Sequence, residues 1–226
     1  MRFATMDKYT WSYSSISLFQ QCPRKYYRLR VLKDVVEPPQ KHLLYGTEVH
    51  KAAEEYVCAG IDLPALYQQF KAHLDRLKEL PGDKYCEYEM GLTKEFQPCK
   101  FSDPNVWFRG IADLLVVNGD KARIVDYKTG RSSEYADVKQ LELLSMLVFK
   151  HFPQVTSVKG GLLFLVAADL VGAEYEANNQ DRSWQKWLPE ITRLEKAYET
   201  DMWNPKPNFT CRKFCAVLDC EHNGKN

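Results

Sequence analysis

The sequence predicts an α/β fold in which a mixed central sheet is flanked by helices. Helical patterns occupy the first part of the chain, and short strand patterns follow at 85–92, 106–117 and 121–128. A helical stripe then leads to a further strand at 159–167. We find no internal repeat and no low-complexity linker, so we expect a single domain over residues 1–226.

The N-terminal part of this domain, residues 1–80, is expected to be helical. Residues 13–32 begin with serines suited to helix capping and space their apolar side chains as one helix or two short ones. GTEVHKAAEEYVCAG predicts another helix, which ends at Gly60. A further helix is expected over residues 65–80.

The central part, residues 81–182, contains the strands and the helical stripe ADVKQLELLSMLVFKHF. The C-terminal part, residues 183–226, starts with a helix over 183–203 that carries tryptophan and leucine side chains at helical spacing. Pro189 either sits in the first turn of that helix or kinks it.

Composition narrows the class of protein. The net charge of +1 argues against a generally polycationic nucleic-acid coat protein, but it permits a local basic patch beside an acidic pocket. No stretch approaches the roughly 18 apolar residues of a membrane span, and the N-terminus lacks the apolar core of a secretory signal. We therefore expect a soluble, cytoplasmic protein that has no membrane partner.

Two carboxylates are the first candidates for chemistry. GIADLLVVNGDKARIVDYK holds two apolar strands joined at Asn-Gly, a strong hairpin signal. If Gly119 and Asp120 form the loop, Asp113 lies directly opposite Asp126. If Asn118 and Gly119 form it, the two acids are diagonal neighbours. Both registers place the carboxylates on one face, whereas a three-residue loop would separate them.

Paired carboxylates repel each other unless a cation lies between them, and Mg²⁺ or Mn²⁺ prefers oxygen ligands. Lys128 follows Asp126 by two residues, so in a strand it points to the same side. It would then neutralise the charge that develops on a phosphodiester or orient the attacking water. The alternative is a pair of acids at the strand ends with a solvated lysine.

IAD at 111–113 followed by IVDYKTG at 124–130 resembles the PD-(D/E)XK nuclease superfamily, in particular its RecB-like branch. GTEVH at 46–50, the QLELL run and one N-terminal cysteine with three C-terminal ones stand in the expected order. The resemblance implies a restriction-endonuclease-like core whose N-terminal helical part is stapled to the C-terminus.

By this resemblance His50, Asp113, Asp126 and the backbone carbonyl of Tyr127 bind the metal, and Lys128 is the catalytic lysine. Gln140 is implied to organise the active site or the DNA. The sequence departs from the family at Leu144, where that motif usually has a tyrosine, which puts its DNA-contacting part in doubt. Glu87 and Glu89 are both candidates for the family's acidic strand residue, and regular alternation puts them on one face.

The seven cysteines include a C-x3-C-x4-C cluster that leaves a four-coordinate group one ligand short. The expected ligands are Cys22, Cys211, Cys215 and Cys220. Relatives in recombination repair and CRISPR adaptation hold a [4Fe-4S] cluster this way. Zinc, His222 as a substitute ligand, and unligated thiols are the alternatives. Cys58, Cys86 and Cys99 are expected to be unpaired thiols.

A basic stretch, PRKYYRLRVLK, interleaves cations with tyrosines and contains no acid. Cations that follow phosphates and aromatic rings that stack on bases suit single-stranded nucleic acid. The predicted DNA-binding residues are Arg24, Lys25, Tyr26, Arg28 and Arg30. The alternative is an amphipathic helix with a solvated basic face.

Together these features predict a metal-dependent DNA phosphodiesterase, an exonuclease on single strands or strand ends in recombination, repair or phage DNA metabolism. Its small size suggests a free-standing enzyme of a bacterial cell or phage-infected host, or a subunit that works with a helicase or recombination partner. One alternative is a non-catalytic DNA-binding or assembly module that keeps the fold. Another is a zinc-stapled RNA-processing nuclease.

Overall fold

The computed structural model describes residues 9–38 and 41–224. The described chain divides into two compact units, one formed by residues 9–10 and 41–183 and the other by residues 11–38 and 184–224. The second unit combines residues 11–38 with the C-terminal segment, whereas residues 41–80 of the predicted N-terminal helical part belong to the first unit. The single-domain organisation stays a prediction.

The first unit is built on a six-stranded mixed sheet. Its strands are β1 (Asp83–Leu92), β2 (Pro98–Cys99), β3 (Phe108–Asn118), β4 (Lys121–Lys128), β5 (Ser157–Phe164) and β6 (Asp169–Glu176). They follow the order β2-β1-β3-β4-β5-β6, in which β4 and β5 are parallel and the other neighbours antiparallel. The predicted α/β fold class is confirmed. The edge strand β6 was missed because its sequence, DLVGAEYE, is polar and largely exposed.

The helices confirm the helical patterns of the sequence. They are α1 (Tyr13–Gln21), α2 (Pro23–Tyr26), α3 (Lys41–Glu54), α4 (Lys71–Lys78), α5 (Lys139–His151) and α6 (Gln180–Thr200). Shorter π or 3-10 segments are Tyr27–Val31, Glu55–Ala59, Ala65–Phe70, Ala177–Asn179 and Phe209–Arg212. Gly60 ends the segment after α3 with a φ of 70°, as predicted. Pro189 lies inside α6, beyond its first turn.

A buried apolar cluster joins the sheet to α3, α4 and the segments between them. Helical residues Tyr56, Phe70 and Leu74 pack in this cluster with Leu114 of β3 and Tyr127 of β4. All five side chains are at most 4% exposed. This burial fixes the positions of α3 and β4, the two elements that carry most of the predicted metal ligands.

Helix α5 packs closely on the sheet at Gly110. A Cβ atom at that position would lie 2.8 Å from side-chain atoms of both Leu144 and Leu147. The helix can therefore approach β3 only because this residue is glycine. The contact sets the position of α5, which carries Gln140 in its first turn.

The second unit is held by aromatic packing. Tyr26, which is 3% exposed, contacts Phe19, Tyr198 and Trp203, and its hydroxyl shares a hydrogen bond of 2.9 Å with that of Tyr198. Ser12 caps α1 by accepting a hydrogen bond from the backbone N–H of Ser15. The α1–α2 segment is thereby fixed within its unit.

One prediction about the cysteines was wrong. Cys58, in the π-helical segment after α3, forms a disulfide with Cys86 of β1, and their Cα atoms are 6.3 Å apart. The two residues are far apart in sequence, so their proximity depends on how α3 packs against the sheet. Cys99 is a free thiol, as expected. No helix in the described ranges has both the length and the apolar character that a membrane span needs.

Candidate active site

The β3–β4 hairpin brings the predicted acids together. Its ladder runs from Asn118 paired with Lys121 to Leu114 paired with Val125, so Gly119 and Asp120 form the loop. Gly119 has a φ of 62°, which glycine adopts without strain. This is the register in which Asp113 and Asp126 are opposite each other, one step beyond the last ladder pair.

Three side chains from separate elements form a possible metal-binding group. One ligand atom each from His50, Glu87 and Asp113 lies within 4.8 Å of the others. His50 Nδ1 is 3.3 Å from Asp113 Oδ2, and the same oxygen accepts a hydrogen bond of 2.7 Å from the backbone N–H of Tyr127. The structure thus unites two predicted ligands, His50 and Asp113, with one acid that the sequence left undecided.

The backbone of Tyr127 also contacts His50. Burial lowers the pKa of His50, and it outweighs the negative charge of Asp126 and a hydrogen bond to this backbone, both of which raise that pKa. The imidazole is therefore neutral near pH 7 and keeps a lone pair for a metal.

Asp126, Lys128 and Gln140 form a connected set beside this group. Gln140 Nε2 donates a hydrogen bond of 2.6 Å to Asp126 Oδ1, and Lys128 Nζ donates one of 3.3 Å to Gln140 Oε1. Lys128 Nζ also lies 2.5 Å from Asp126 Oδ2. That buried oxygen accepts no well-formed hydrogen bond from the described residues, although the carboxylate is only 3% exposed. Its close charged neighbour is therefore the ammonium of Lys128.

The acids of the site raise one another's proton affinity. Burial, followed by the negative charge of Asp126, raises the pKa of Asp113 to about 8, and Glu87 adds to the shift. Burial and the charges of Glu54 and Asp126 likewise raise the pKa of Glu87. Without a cation the site therefore holds extra protons, which a bound divalent ion would displace.

Glu87 belongs to the metal-binding group, and Glu89 does not. Unbroken alternation along β1 would put the two acids on one face. The structure breaks that alternation, because Tyr85 and Tyr88, three residues apart, both contact Phe152. No sequence pattern marks this break. The choice between the two acids therefore needed the structure.

Leu144, which replaces the family tyrosine, is 3% exposed and packs over Gly110. It contributes to the contact between helix and sheet instead of lying at the surface.

The four predicted cysteine ligands line a single small cavity in the second unit. The backbone N–H groups of Lys206 and Asn208 each donate a 3.4 Å hydrogen bond, to the sulfur atoms of Cys22 and Cys211 respectively. Within the described chain, no three of these sulfurs lie within 4.8 Å of one another. The cysteines converge, but not at the spacing of ligands around a single ion.

The predicted DNA-binding residues are less free than the sequence suggested. Arg24 pairs with Glu221, Lys25 with Glu37, and Arg28 with both Asp34 and Asp219, at 2.7–2.9 Å. These acids neutralise much of the basic stretch.

Tyr26 needs a correction. It lies in the aromatic core of the second unit, so its ring is not available to stack on a base. Arg30 is exposed, and its side chain has no hydrogen bond or ion pair to the residues that the structure describes.

Comparison with known proteins agrees with this geometry. The model of the PD-(D/E)XK nuclease superfamily matches residues 10–220. A search of curated proteins gave no match.

Two solved structures are similar to the chain. A protein of Eubacterium rectale described as a candidate exonuclease has a TM-score of 0.55 at 13% identity, covering 100% of this chain and 94% of that one. The crystal structure of SSO0001 has a TM-score of 0.45 at 14% identity, with coverages of 98% and 90%. At 13% identity the likeness to the Eubacterium rectale protein concerns the fold alone.

The family match spans nearly the whole described chain, and the fold has the mixed sheet and flanking helices that this family requires. Members of the family are phosphodiesterases that use divalent metals. The chain belongs to the PD-(D/E)XK nuclease superfamily.

Proposed function

We propose that the protein is a divalent-metal-dependent DNA nuclease, an exonuclease that acts on single-stranded DNA or strand ends in recombination, repair or phage DNA metabolism. The observation that carries this proposal is the meeting of two sets of residues where the middle of β3 lies beside the C-terminal end of β4. One set is the possible metal-binding group around Asp113, and the other links Asp126 to Lys128 and Gln140. The description of the Eubacterium rectale protein supports the exonuclease assignment.

The residues of the site fit Mg²⁺ or Mn²⁺. Carboxylate oxygens are the preferred ligands of both ions, and Mn²⁺ also accepts imidazole. The proposed ligands are His50, Asp113, Asp126 and the backbone carbonyl of Tyr127. Asp126 is included because its buried carboxylate adds negative charge beside Asp113, and the two acids repel each other unless a cation lies between them.

The chain's own residues explain how a phosphodiester would be cleaved. A bound divalent cation supplies Lewis-acid activation of the phosphate and of a water molecule. Lys128, whose side chain is 35% exposed, places a positive charge beside Asp126, where the negative charge of the pentavalent phosphate develops. Gln140 holds Lys128 and Asp126 in a fixed relation through its amide.

The test is cleavage of end-labelled single- and double-stranded DNA by protein purified without oxygen, with Mg²⁺, Mn²⁺ or a chelator. We expect metal-dependent degradation that is lost in Asp126→Ala. Asp120→Asn is the matched control, since Asp120 is an exposed acid in the turn of the same hairpin. RNA of the same sequence tests the RNA-processing alternative.

A wild-type protein that binds DNA but leaves every substrate intact would contradict the proposed function. That result would instead support the non-catalytic DNA-binding or assembly module. Partial degradation products of discrete length would argue for endonuclease rather than exonuclease action.

For the cysteines we propose a [4Fe-4S] cluster held by Cys22, Cys211, Cys215 and Cys220. A tetrahedral zinc ion with Zn–S bonds of about 2.3 Å requires sulfurs about 3.8 Å apart. No three of the described sulfurs lie as close together as zinc requires, and backbone N–H groups donate hydrogen bonds to Cys22 and Cys211, as they do to sulfur ligands of iron-sulfur clusters.

Visible absorption and metal analysis of anaerobically purified protein test this cofactor. We expect a brown protein that contains iron and sulfide, with the colour lost in Cys215→Ser and kept in Cys99→Ser. A colourless protein that contains stoichiometric zinc would contradict the iron-sulfur cluster and support zinc as the bound group.

Arg30 is the predicted DNA-binding cation best placed to contact a phosphate, because Arg24, Lys25 and Arg28 already form ion pairs with acids of the protein. We place the protein in the cytoplasm of a bacterial cell or phage-infected host, with a helicase or recombination protein as partner. Steeper salt dependence of DNA binding by the wild type than by Arg30→Ala would support the role of Arg30.

A further inference from the structure

The backbone of Glu87 is strained within a strand. Its φ is 46°, in the left-handed region that disfavours residues with a side chain. The other non-glycine residues with positive φ in the described ranges lie outside helices and strands. Such strain persists only where surrounding contacts impose it, and it is concentrated at functional sites.

The strained residue lies opposite Asp113. The β1–β3 ladder pairs Cys86 with Leu114 and Tyr88 with Ala112, so Glu87 and Asp113 face each other in the one step where the ladder is interrupted. The carboxylate of Glu87 reaches the group formed by His50 and Asp113. At this position the strands lose one ladder pair, and the carboxylate of Glu87 is directed to the metal-binding group.

A covalent link anchors the strained residue. Cys86, directly before Glu87, is joined to Cys58, which lies eight residues after His50. The disulfide therefore connects the helical segment that carries His50 to the strand that carries Glu87. Cys58 is exposed, so a small dithiol can reach this bond.

We propose that the Cys58–Cys86 disulfide positions the carboxylate of Glu87 at the metal-binding group, so that reduction of the disulfide weakens cation binding. This inference rests on the proposed function, because it concerns the same metal site. Once the link is cut, β1 can relax towards a regular strand, and the carboxylate of Glu87 leaves the group around Asp113.

The redox step is balanced by a dithiol. Two electrons and two protons pass from the dithiol to the protein, the S–S bond becomes two thiols, and the dithiol closes to a cyclic disulfide. Cys58 and Cys86 are the residues reduced. Reoxidation by a small disulfide reverses the reaction.

The first experiment measures Mn²⁺ binding to the full-length, oxidised protein by electron paramagnetic resonance of free Mn²⁺. We expect Glu87→Gln to weaken binding about tenfold, because affinity follows the number of charged ligands. Glu89→Gln is the matched control and should bind as the wild type does. Thermal unfolding checks that each variant is folded.

Glu87→Gly separates ligation from strain. Glycine adopts a φ of 46° freely, so this variant should be at least as stable as the wild type and still bind Mn²⁺ weakly. If Glu87→Gln and Glu87→Gly both bind Mn²⁺ with wild-type affinity, Glu87 is not a ligand. If the wild type itself binds no Mn²⁺, or Asp113→Asn has no effect, the proposed function fails instead.

The second experiment compares oxidised protein, protein reduced by a dithiol that is then removed, and the Cys58→Ser/Cys86→Ser double variant. We expect the last two to bind Mn²⁺ several-fold more weakly, and we expect Glu87→Gln to be insensitive to reduction. Equal affinity of all three forms would overturn the positioning role. The positioning role would also be overturned if reduction weakened Mn²⁺ binding as much in Glu87→Gln as in the wild type. Free thiols at Cys58 and Cys86 after mild oxidation would overturn it too.

Discussion

Gln140 Nε2 donates a 2.6 Å hydrogen bond to Asp126 Oδ1, which joins the first turn of α5 to the buried end of β4. The same amide accepts a hydrogen bond from Lys128 through its oxygen. One side chain thus fixes the orientation of both the acid and the lysine. This arrangement makes Gln140 a positioning residue whose effect should be measurable separately from folding.

Replacing Gln140 by alanine should lower the rate of DNA cleavage and the Mn²⁺ affinity by about 10- to 100-fold, the usual cost of losing a residue that orients a metal ligand. The neighbouring substitution Lys139→Ala is the control, since its side chain is exposed and forms an ion pair with Asp137. Steady-state cleavage assays and Mn²⁺ titration check both variants. Wild-type affinity in Gln140→Ala would show that Asp126 needs no such support.

Replacing Lys128 by methionine should reduce cleavage by about 10²- to 10³-fold, because the charge that stabilises the developing negative phosphate is lost. Mn²⁺ binding should persist, since lysine is not a metal ligand. Lys121→Met, at the exposed start of the same strand, should retain activity. Loss of both binding and cleavage in Lys128→Met would assign the lysine a structural role.

The raised pKa of Asp113 predicts how the stability of the metal-free protein depends on pH. In the unfolded chain this carboxyl loses its proton near pH 4, whereas in the fold it keeps the proton up to about pH 8. Its contribution to the free energy of unfolding is therefore greatest below pH 4 and is lost progressively as the pH rises through about 8.

Urea unfolding of metal-free wild type and Asp113→Asn, at intervals between pH 4 and pH 9, measures this effect. The stability of the wild type relative to the variant should fall across this range and then level off. Mg²⁺ should stabilise the wild type more at high pH, because it favours the ionised carboxylate. A pH-independent difference would contradict the assignment.

Gly110→Ala should destabilise the protein by about 1–3 kcal/mol, the usual cost of overpacking a core. The added methyl would lie 2.8 Å from Leu144 and Leu147, where neither neighbour has free space. Gly130→Ala is the matched control, since its nearest neighbours lie at ordinary contact distances of 3.6–3.7 Å. Denaturant unfolding checks the pair, and equal stabilities would show that α5 can move away from β3.

The amino-acid sequence by itself determined the elements and the order of the motifs. The periodicity of apolar residues located the helices and four of the six strands, and Asn-Gly located the hairpin that carries Asp113 and Asp126. These features are local, because a turn and its flanking strands depend on neighbouring residues alone. The polar edge strand β6 carried no such local signal.

Only the tertiary structure decided which distant residues meet. It selected Glu87 over Glu89 through a break in strand alternation, and it paired Cys58 with Cys86. It also brought two acids of the C-terminal segment into ion pairs with Arg24 and Arg28. The sequence stretch around these two arginines contains no acid of its own. Packing between elements fixes each of these contacts, and a one-dimensional pattern of residue types does not contain that information.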